Sequence, residues 1–182
     1  MSKLGIFMAD GCEEIEGLAV VDVLRRAKMD IITISVNKTN TVKGSHNITF
    51  LTDTVYEDVN FEELDGIILP GGMPGTINLG DHEGVVSQVK TFAAAGKLVC
   101  AICAAPSVLG AAGILKGKKA TCHPGFEEKL TGAEPLTDNV VTDGNVITSR
   151  GMGTAIDFGL AIVSYFNDQS VVDDVKLHLV YK

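Results

Sequence analysis

Short apolar runs alternate with amphipathic segments along most of the chain. The runs are rich in β-branched side chains and predict strands at Leu4–Met8, Asp30–Val36, Gly66–Leu69, Leu98–Ile102 and Val146–Ser149. Segments with apolar residues at helical spacing predict helices at Glu14–Ala27, Glu83–Ala95, Ala104–Ala112, Thr154–Phe166 and Ser170–Leu177. This order is typical of βαβ units, so we predict an α/β fold with a mostly parallel central sheet.

Two predicted helices carry an apolar stripe that we expect to face the core. The stripes are Ile15, Leu18, Val21 and Leu24 in the first helix, and Val85, Val86, Val89 and Phe92 in the second. The segment Thr41–Tyr56 predicts a hairpin or a pair of edge strands, because turn-forming residues lie between β-branched ones. No repeat or linker interrupts the pattern, so we predict one domain over residues 1–182.

The composition narrows the class of protein. Of the 182 residues, 46% are hydrophobic and 21% are charged, and no apolar stretch approaches the roughly 18–20 residues that span a bilayer. The amino terminus lacks the apolar segment of a secretion signal, which predicts a cytoplasmic location. The net charge of −8, without a basic run, opposes binding to nucleic acid or to an anionic membrane.

The four cysteines are expected to be reduced, because a chain of this size without an export signal rarely forms disulfides. Cys100 and Cys103 form a C-x-x-C pair, which raises a redox alternative. If the strand is extended, their Cα atoms lie on the order of 10 Å apart, beyond the roughly 7 Å that a disulfide bridges. The redox motif is therefore disfavoured, since its first cysteine normally opens a helix.

Cys103 lies where the predicted strand in LVCAICAAPSVLGAAG gives way to a helix. A strand, a tight turn and an immediate helix form a nucleophile elbow, which exposes a nucleophile and directs backbone N–H groups at a developing oxyanion. Ala104 and Ala105 are small enough for this turn, and Pro106 suits the first turn of a helix. The positive end of that helix is expected to lower the thiol pKa. The alternative is a buried cysteine at a strand end.

A glycine loop, ILPGGMPGTINL, follows another predicted strand. Gly71 and Gly72 permit close backbone approach, so an N–H group of this loop is expected to complete an oxyanion site beside Cys103. A phosphate-binding loop is a weak alternative, because the loop has no lysine and no G-x-x-x-x-G-K pattern. A plain structural turn is the other alternative.

Glu16 and His123 are the candidate proton carriers. Glu13, Glu14 and Glu16 stand at the start of the first helix, where carboxylates favour the dipole, and Glu16 can point over the strand ends. A carboxyl group in contact with the Cys103 thiol would share one proton with it. His123 is the histidine best placed for acid–base chemistry, with a structural role as the alternative. Cysteines and histidines lack the paired spacing of a zinc site, so no metal or other cofactor is expected.

Several motifs recur in a definite order: GCEEIE with VDVLRRA, PGG after a strand, CAICAAP, HP, and SRGMGT. Together they resemble the ThiJ/PfpI superfamily, and within it the branch of the Parkinsonism-associated protein deglycase, from about Lys3 to Val180. The resemblance implies a flavodoxin-like three-layer sandwich that forms a homodimer. It also implies the site residues: the nucleophile Cys103, its protonated partner Glu16, the nearby His123, and oxyanion donors at Gly72 and Ala104.

The resemblance further implies a cofactor-independent glyoxalase that converts methylglyoxal to a hydroxy acid without glutathione. It implies deglycation of early methylglyoxal adducts on proteins and nucleotides as well. The alternative, from a different class, is an oxidative-stress sensor or redox-regulated chaperone in which Cys103 becomes a sulfinate hydrogen-bonded by Glu16.

The chain departs from the family's pattern at three positions. Ala104 stands where the protease-like branch has a histidine, which disfavours peptidase activity. His46 stands where animal relatives carry an arginine, which weakens an implied dimer-spanning anion site with Arg26. Ala105 replaces the commoner glycine at the second position after the nucleophile, and its methyl group tightens the elbow.

Overall fold

The chain forms a central β-sheet with helices on both faces, described for residues 2–182 in a computed structural model. In chain order the strands are β1 (Lys3–Met8), β2 (Asp30–Ser35), β3 (Thr41–Lys43), β4 (Thr49–Leu51), β5 (Thr54–Val55), β6 (Gly66–Leu69), β7 (Leu98–Ile102), β8 (Lys119–Ala120), β9 (Glu134–Pro135), β10 (Val140–Asp143) and β11 (Val146–Ser149). The α-helices are α1 (Glu14–Arg26), α2 (Gly75–Asp81), α3 (Glu83–Ala94), α4 (Pro106–Ala111), α5 (Ala155–Phe166) and α6 (Gln169–Leu179).

The main sheet has the strand order β10–β11–β7–β6–β1–β2–β5, and every neighbouring pair except β10–β11 is parallel. Its strands β2–β1–β6–β7–β11 follow the flavodoxin-like order, which confirms the predicted fold class. β3 and β4 form a separate antiparallel hairpin, whereas β5 joins the sheet edge beside β2. The segment Thr41–Tyr56 therefore contains both a hairpin and an edge strand.

Alternating side chains of the strands supply two hydrophobic layers. In β1, Leu4, Ile6 and Met8 belong to the layer that contains residues of α1, α5 and α6. Phe7 points the opposite way, into the layer that contains residues of α2, α3 and α4. The two layers hold the carboxyl ends of the parallel strands at one edge, which is where ligands bind in open α/β sheets.

The predicted core stripe of α1 is partly wrong. Val21 and Leu24 are buried as expected, but Ile15 is 50% exposed and Leu18 is 38% exposed. The first turn of α1 instead turns Glu14 and Glu16 inward, because backbone N–H groups of two neighbouring loops meet their carboxylates there. The inward face of α1 is therefore polar at its start and apolar only further along.

Several boundaries also differ from the sequence pattern. α4 begins at Pro106 rather than Ala104, because the residues from Cys103 to Ala105 form the turn itself. The pattern missed α2, which contains glycines that weaken helix propensity, and the short strands β8, β9 and β10. Within residues 2–182, none of the helices combines the length and the apolar character that crossing a bilayer requires.

Candidate active site

Four loops meet at the carboxyl ends of β1, β6, β7 and β11. The loop after β1 leads into α1 and Glu16, and the loop after β6 contains Gly71 and Gly72. Cys103 directly follows β7, and Gly151 lies just after β11. Because these four strands are neighbours in the sheet, residues far apart in the sequence converge on one hollow.

Cys103 lies on a tight turn between β7 and α4. Its φ angle is +65°, in the left-handed region that costs a non-glycine residue about 1–2 kcal/mol. The turn is held on both sides, because the Cys103 N–H donates to Ser149 O at 3.0 Å and the Ala105 N–H donates to Ile102 O at 3.1 Å. The Cys103 side chain is half-buried rather than sealed in the core. The strand–turn–helix elbow predicted from the sequence is confirmed.

Two glycines let the loop after β6 approach this elbow. A Cβ atom on Gly71 would lie 2.6 Å from Cys103 Cβ and 2.7 Å from Glu16 Oε2, so no side chain fits there. Gly72 has a φ angle of +90°, and a Cβ atom on it would overlap the backbone nitrogen of Glu13. The N–H groups of Gly72 and Ala104 face the Cys103 sulfur and act to lower the pKa of the thiol. The two oxyanion donors implied by the resemblance therefore lie beside the thiol.

Glu16 is almost fully buried, with 1% of its surface exposed. Its Oε2 accepts a hydrogen bond from the Gly71 N–H at 2.9 Å, and its own N–H donates to Glu13 Oε2 at 2.7 Å. Burial raises the pKa of the Glu16 carboxyl to about 7, and the nearby charge of Glu13 acts in the same direction. Hydrogen bonds from Cys103 and Gly71 partly oppose this rise. Glu16 is thus a carboxyl group that exchanges its proton near neutral pH.

The expectation that the thiol pKa is lowered is wrong for the resting site. Burial is the largest cause of a rise in the pKa of the Cys103 thiol to about 12, and the charge and hydrogen bond of Glu16 add to that rise. The Ala104 and Gly72 N–H groups lower the thiol pKa by less. The Glu16 contribution depends on an ionised carboxylate. A proton on Glu16 therefore lowers the thiol pKa, so the two groups titrate as one coupled pair that holds a proton between them.

His123 is tied to the elbow through its backbone. Its N–H donates to Cys103 O at 2.8 Å, and its ring is exposed and packs edge-on against Phe126. The ring Nδ1 lies 3.0 Å from Pro124 O, so a hydrogen on Nδ1 satisfies that carbonyl and leaves Nε2 as the basic nitrogen. An ideal Cβ built on Gly151 lies 3.7 Å from His123 Cδ2 and 3.9 Å from Glu16 Oε1. The imidazole edge and the carboxyl group therefore border the same hollow.

A second polar cluster lies beside the site, and no sequence motif predicts it. The buried Glu14 carboxylate accepts the His46 N–H at 2.7 Å and lies 3.0 Å from His46 Nδ1. Burial opposes ionisation of Glu14, but these hydrogen bonds outweigh it and hold its pKa below the ordinary value. Glu13, Glu14 and His46 bring side-chain donor atoms within 4.8 Å of one another. Because Glu14 is already bonded to the β3–β4 hairpin, this cluster is best described as an anchor for that hairpin.

A flavodoxin-like sheet that carries a cysteine on a nucleophile elbow, with a buried carboxyl group against its sulfur, defines a class of α/β proteins with a reactive-cysteine site. Residues 2–165 match the DJ-1/PfpI family, and the chain belongs to that family. The recognition made from the sequence motifs is therefore confirmed.

Relatives and solved structures place the chain within this family. It is 36% identical over 183 residues to protein dj-1beta of Drosophila melanogaster, covering 99% of this chain and 98% of that protein. It is 38% identical over 164 residues to the glutathione-independent glyoxalase DJR-1.2 of Caenorhabditis elegans, covering 89% of this chain and 87% of that protein. Oxidized DJ-1 of Toxoplasma gondii superposes with a TM-score of 0.95 at 32% identity, covering 100% of this chain and 99% of that one.

Some relatives are much longer than this chain. Protein DJ-1 homolog A of Arabidopsis thaliana is 41% identical over 160 residues, which cover 87% of this chain but 41% of that protein. The chain therefore spans less than half the length of this relative.

Proposed function

We propose that this protein is a cysteine-dependent glyoxalase that needs no cofactor and also removes early methylglyoxal adducts from proteins and nucleotides. The observation that carries the proposal is the half-buried Cys103 thiol, which touches a buried Glu16 and two backbone N–H groups. A relative of similar length that is named a glutathione-independent glyoxalase supports the same reaction class. The single domain over residues 1–182 and the cytoplasmic location stay predictions.

The first step uses the Cys103–Glu16 pair. Ionised Glu16 accepts the thiol proton while the sulfur attacks the aldehyde carbon, so a C–S bond forms and the carbonyl oxygen becomes an oxyanion. The N–H groups of Gly72 and Ala104 stabilise that oxygen. The product of this step is a hemithioacetal on Cys103, with its hydroxyl proton returned from Glu16.

The second step moves hydrogen from one substrate carbon to the next. His123 removes the proton from the former aldehyde carbon, and the electron pair passes through an enediol to the neighbouring carbon, which is then protonated. The first carbon is oxidised to a thioester and the second is reduced to an alcohol, so no external oxidant is needed. Water then hydrolyses the thioester, which releases the hydroxy acid and the free thiol. An early adduct is a hemiaminal, in which the former aldehyde carbon carries a hydroxyl and the amine. There the C–S bond forms as the C–N bond breaks, the amine leaves with the thiol proton that Glu16 passes on, and the same hemithioacetal results.

The proposal is tested by incubating the purified full-length chain with methylglyoxal in the absence of glutathione. We expect lactate to accumulate in step with loss of the aldehyde, because the proposed reaction adds only water. Loss of aldehyde without lactate would indicate simple trapping by protein amines and thiols rather than turnover.

Oxidation sensing is a second candidate function. A carboxyl group beside a half-buried thiol can donate a hydrogen bond to a sulfinate, and one structural neighbour is an oxidized DJ-1. We expect mild peroxide to add two oxygens to Cys103 alone, one from each of two peroxide molecules, because the other thiols are buried at Cys12, Cys100 and Cys122. Peptide mass spectrometry measures this. Equal oxidation at a buried cysteine would contradict it, and selective oxidation without lactate formation would favour the sensor.

We also propose a homodimer, formed through the exposed side of α1 and the adjoining hairpin. Ile15, Leu18 and Ile48 leave apolar surface exposed there, and Ile48 is joined to α1 through its N–H bond to Glu14. We expect Leu18→Asp to reduce the mass measured by light scattering from twice 19.2 kDa to a single chain. The matched control is Leu177→Asp, because Leu177 is 74% exposed on α6. A wild-type mass of one chain would refute the dimer.

A further inference from the structure

Glycines line the hollow around Cys103, and most of them are required by the backbone. Gly71 and Gly72 have no room for a Cβ atom, and Gly72 also has a positive φ angle. Gly151, on the opposite side of the hollow, differs from both. Its φ angle of 165° is extended backbone that any residue adopts, and its Cβ position makes no contact closer than 3.7 Å. Neither conformation nor packing explains a glycine at this position.

The hydrogen bonds of Gly151 do not require a glycine either. Its N–H donates to Thr154 Oγ1 at 3.2 Å, and its carbonyl accepts the Thr154 N–H at 2.8 Å. Both bonds use backbone atoms that an alanine also has. The loop that leads into α5 is therefore expected to keep its shape when a methyl group is added at position 151.

The absence of a side chain at Gly151 leaves a space between His123 and Glu16. The Cβ position of Gly151 lies 3.7 Å from His123 Cδ2 and 3.9 Å from Glu16 Oε1, and no further atom outside its chain neighbours lies within 4 Å. Glu16 Oε2 is already bonded to the Gly71 N–H, so Oε1 is the carboxyl oxygen that faces this space. A group bound there would touch the imidazole edge and the carboxyl oxygen together.

We propose that Gly151 is a specificity-determining residue, whose missing side chain makes room for the substituent on the second carbonyl carbon of a 2-oxoaldehyde. This inference rests on the proposed glyoxalase function. While the aldehyde carbon is bonded to Cys103, the adjacent carbon must lie within reach of His123, because the proton that His123 removes from the first carbon is delivered to the second. Its substituent then occupies the surface of Gly151.

Gly151→Ala tests this with substrates of increasing size. A methyl group in a pocket changes discrimination by about 10–200-fold, so we expect kcat/KM to fall about 100-fold for phenylglyoxal and about 10-fold for methylglyoxal. For glyoxal, whose substituent is a hydrogen, we expect a change of less than about 3-fold by the same reasoning. Gly153→Ala is the matched control, because no atom lies within 4 Å of a Cβ atom at that position of the same loop. An equal loss for all three aldehydes, or no loss, would overturn the proposal.

A measurement without turnover separates this inference from the proposed function. Cys103 is labelled with iodoacetamide, which is small, and with phenacyl bromide, which carries a phenyl ketone next to the reacting carbon. We expect Gly151→Ala to slow labelling by phenacyl bromide about 10-fold or more and to leave labelling by iodoacetamide within about 2-fold. If the wild type turns over no aldehyde, the glyoxalase proposal fails. The ratio of the labelling rates with phenacyl bromide and iodoacetamide still decides whether the space at Gly151 admits the larger group. An unchanged ratio overturns the inference.

Discussion

Replacing Cys103 with serine is expected to lower lactate formation from methylglyoxal by about 1,000-fold or more. The serine hydroxyl is a far weaker acid than the thiol, so Glu16, whose pKa is about 7, cannot take its proton at neutral pH. The elbow, the two N–H donors and the buried carboxyl all remain in the variant. The measurement is the rate of lactate release without glutathione, at equal concentrations of folded protein.

The control for this variant is Cys122→Ala, which removes a thiol that is 1% exposed and lies in the layer beneath α4. We expect Cys122→Ala to retain turnover, apart from any loss of folded protein, because its sulfur is buried in that apolar layer and takes no part in the proposed steps. Turnover by Cys103→Ser at the wild-type rate would end the proposal of covalent catalysis. It would then point to protein amines as the groups that consume the aldehyde.

Glu16→Gln is expected to stabilise the fold at pH 8 and to impair the reaction. The folded-state pKa of Glu16 is raised to about 7 from an ordinary value of 4.5, so its contribution to stability is fully present below pH 4.5 and is lost as the pH rises through 7. Above that range, the buried ionised carboxylate costs about 3 kcal/mol relative to the neutral group. A glutamine stays neutral at every pH, so the free energy of unfolding at pH 8 should exceed that of the wild type by up to about 3 kcal/mol, with little difference at pH 4.

The same variant separates two roles of Glu16. Without an anionic neighbour the thiol pKa falls, so alkylation of Cys103 by iodoacetamide at pH 7 should become faster. The glutamine cannot carry a proton, so lactate formation should fall by about 100- to 10,000-fold. Glu62→Gln, on an exposed residue far from the hollow in sequence, is the control and should change neither quantity. Faster alkylation together with undiminished turnover would show that Glu16 only tunes the thiol.

The elbow could be predicted from the sequence because its signals are local. Nine residues contain a short apolar strand, a cysteine, two alanines and a proline. This order predicts a tight turn at the cysteine, and the structure places Cys103 on such a turn. The parallel sheet is also encoded locally, through the alternation of strands and helices. The strand order then brings Gly72 and Glu16 to the cysteine, although the sequence alone does not state their distances.

The features that sequence reasoning missed depend on what surrounds a residue. Ile15 has helical spacing with Val21, but the first turn of α1 lies against polar loops, so Glu14 and Glu16 face inward and Ile15 does not. The predicted direction of the Cys103 pKa shift is likewise wrong, because the pKa is raised and not lowered. A helix end lowers a thiol pKa and burial raises it, and only the depth of the hollow and the charge of Glu16 decide which is larger.

The left-handed φ angle of Cys103 implies that keeping a cysteine at this position lowers the folding stability of the protein. Glycine adopts that conformation freely, so a chain released from selection for sulfur chemistry would gain folding stability by drifting to glycine at this one position. Inactive relatives that keep an intact and even more heat-resistant fold are a natural outcome of such drift. Thermal robustness is therefore no guide to whether a homologue still performs chemistry.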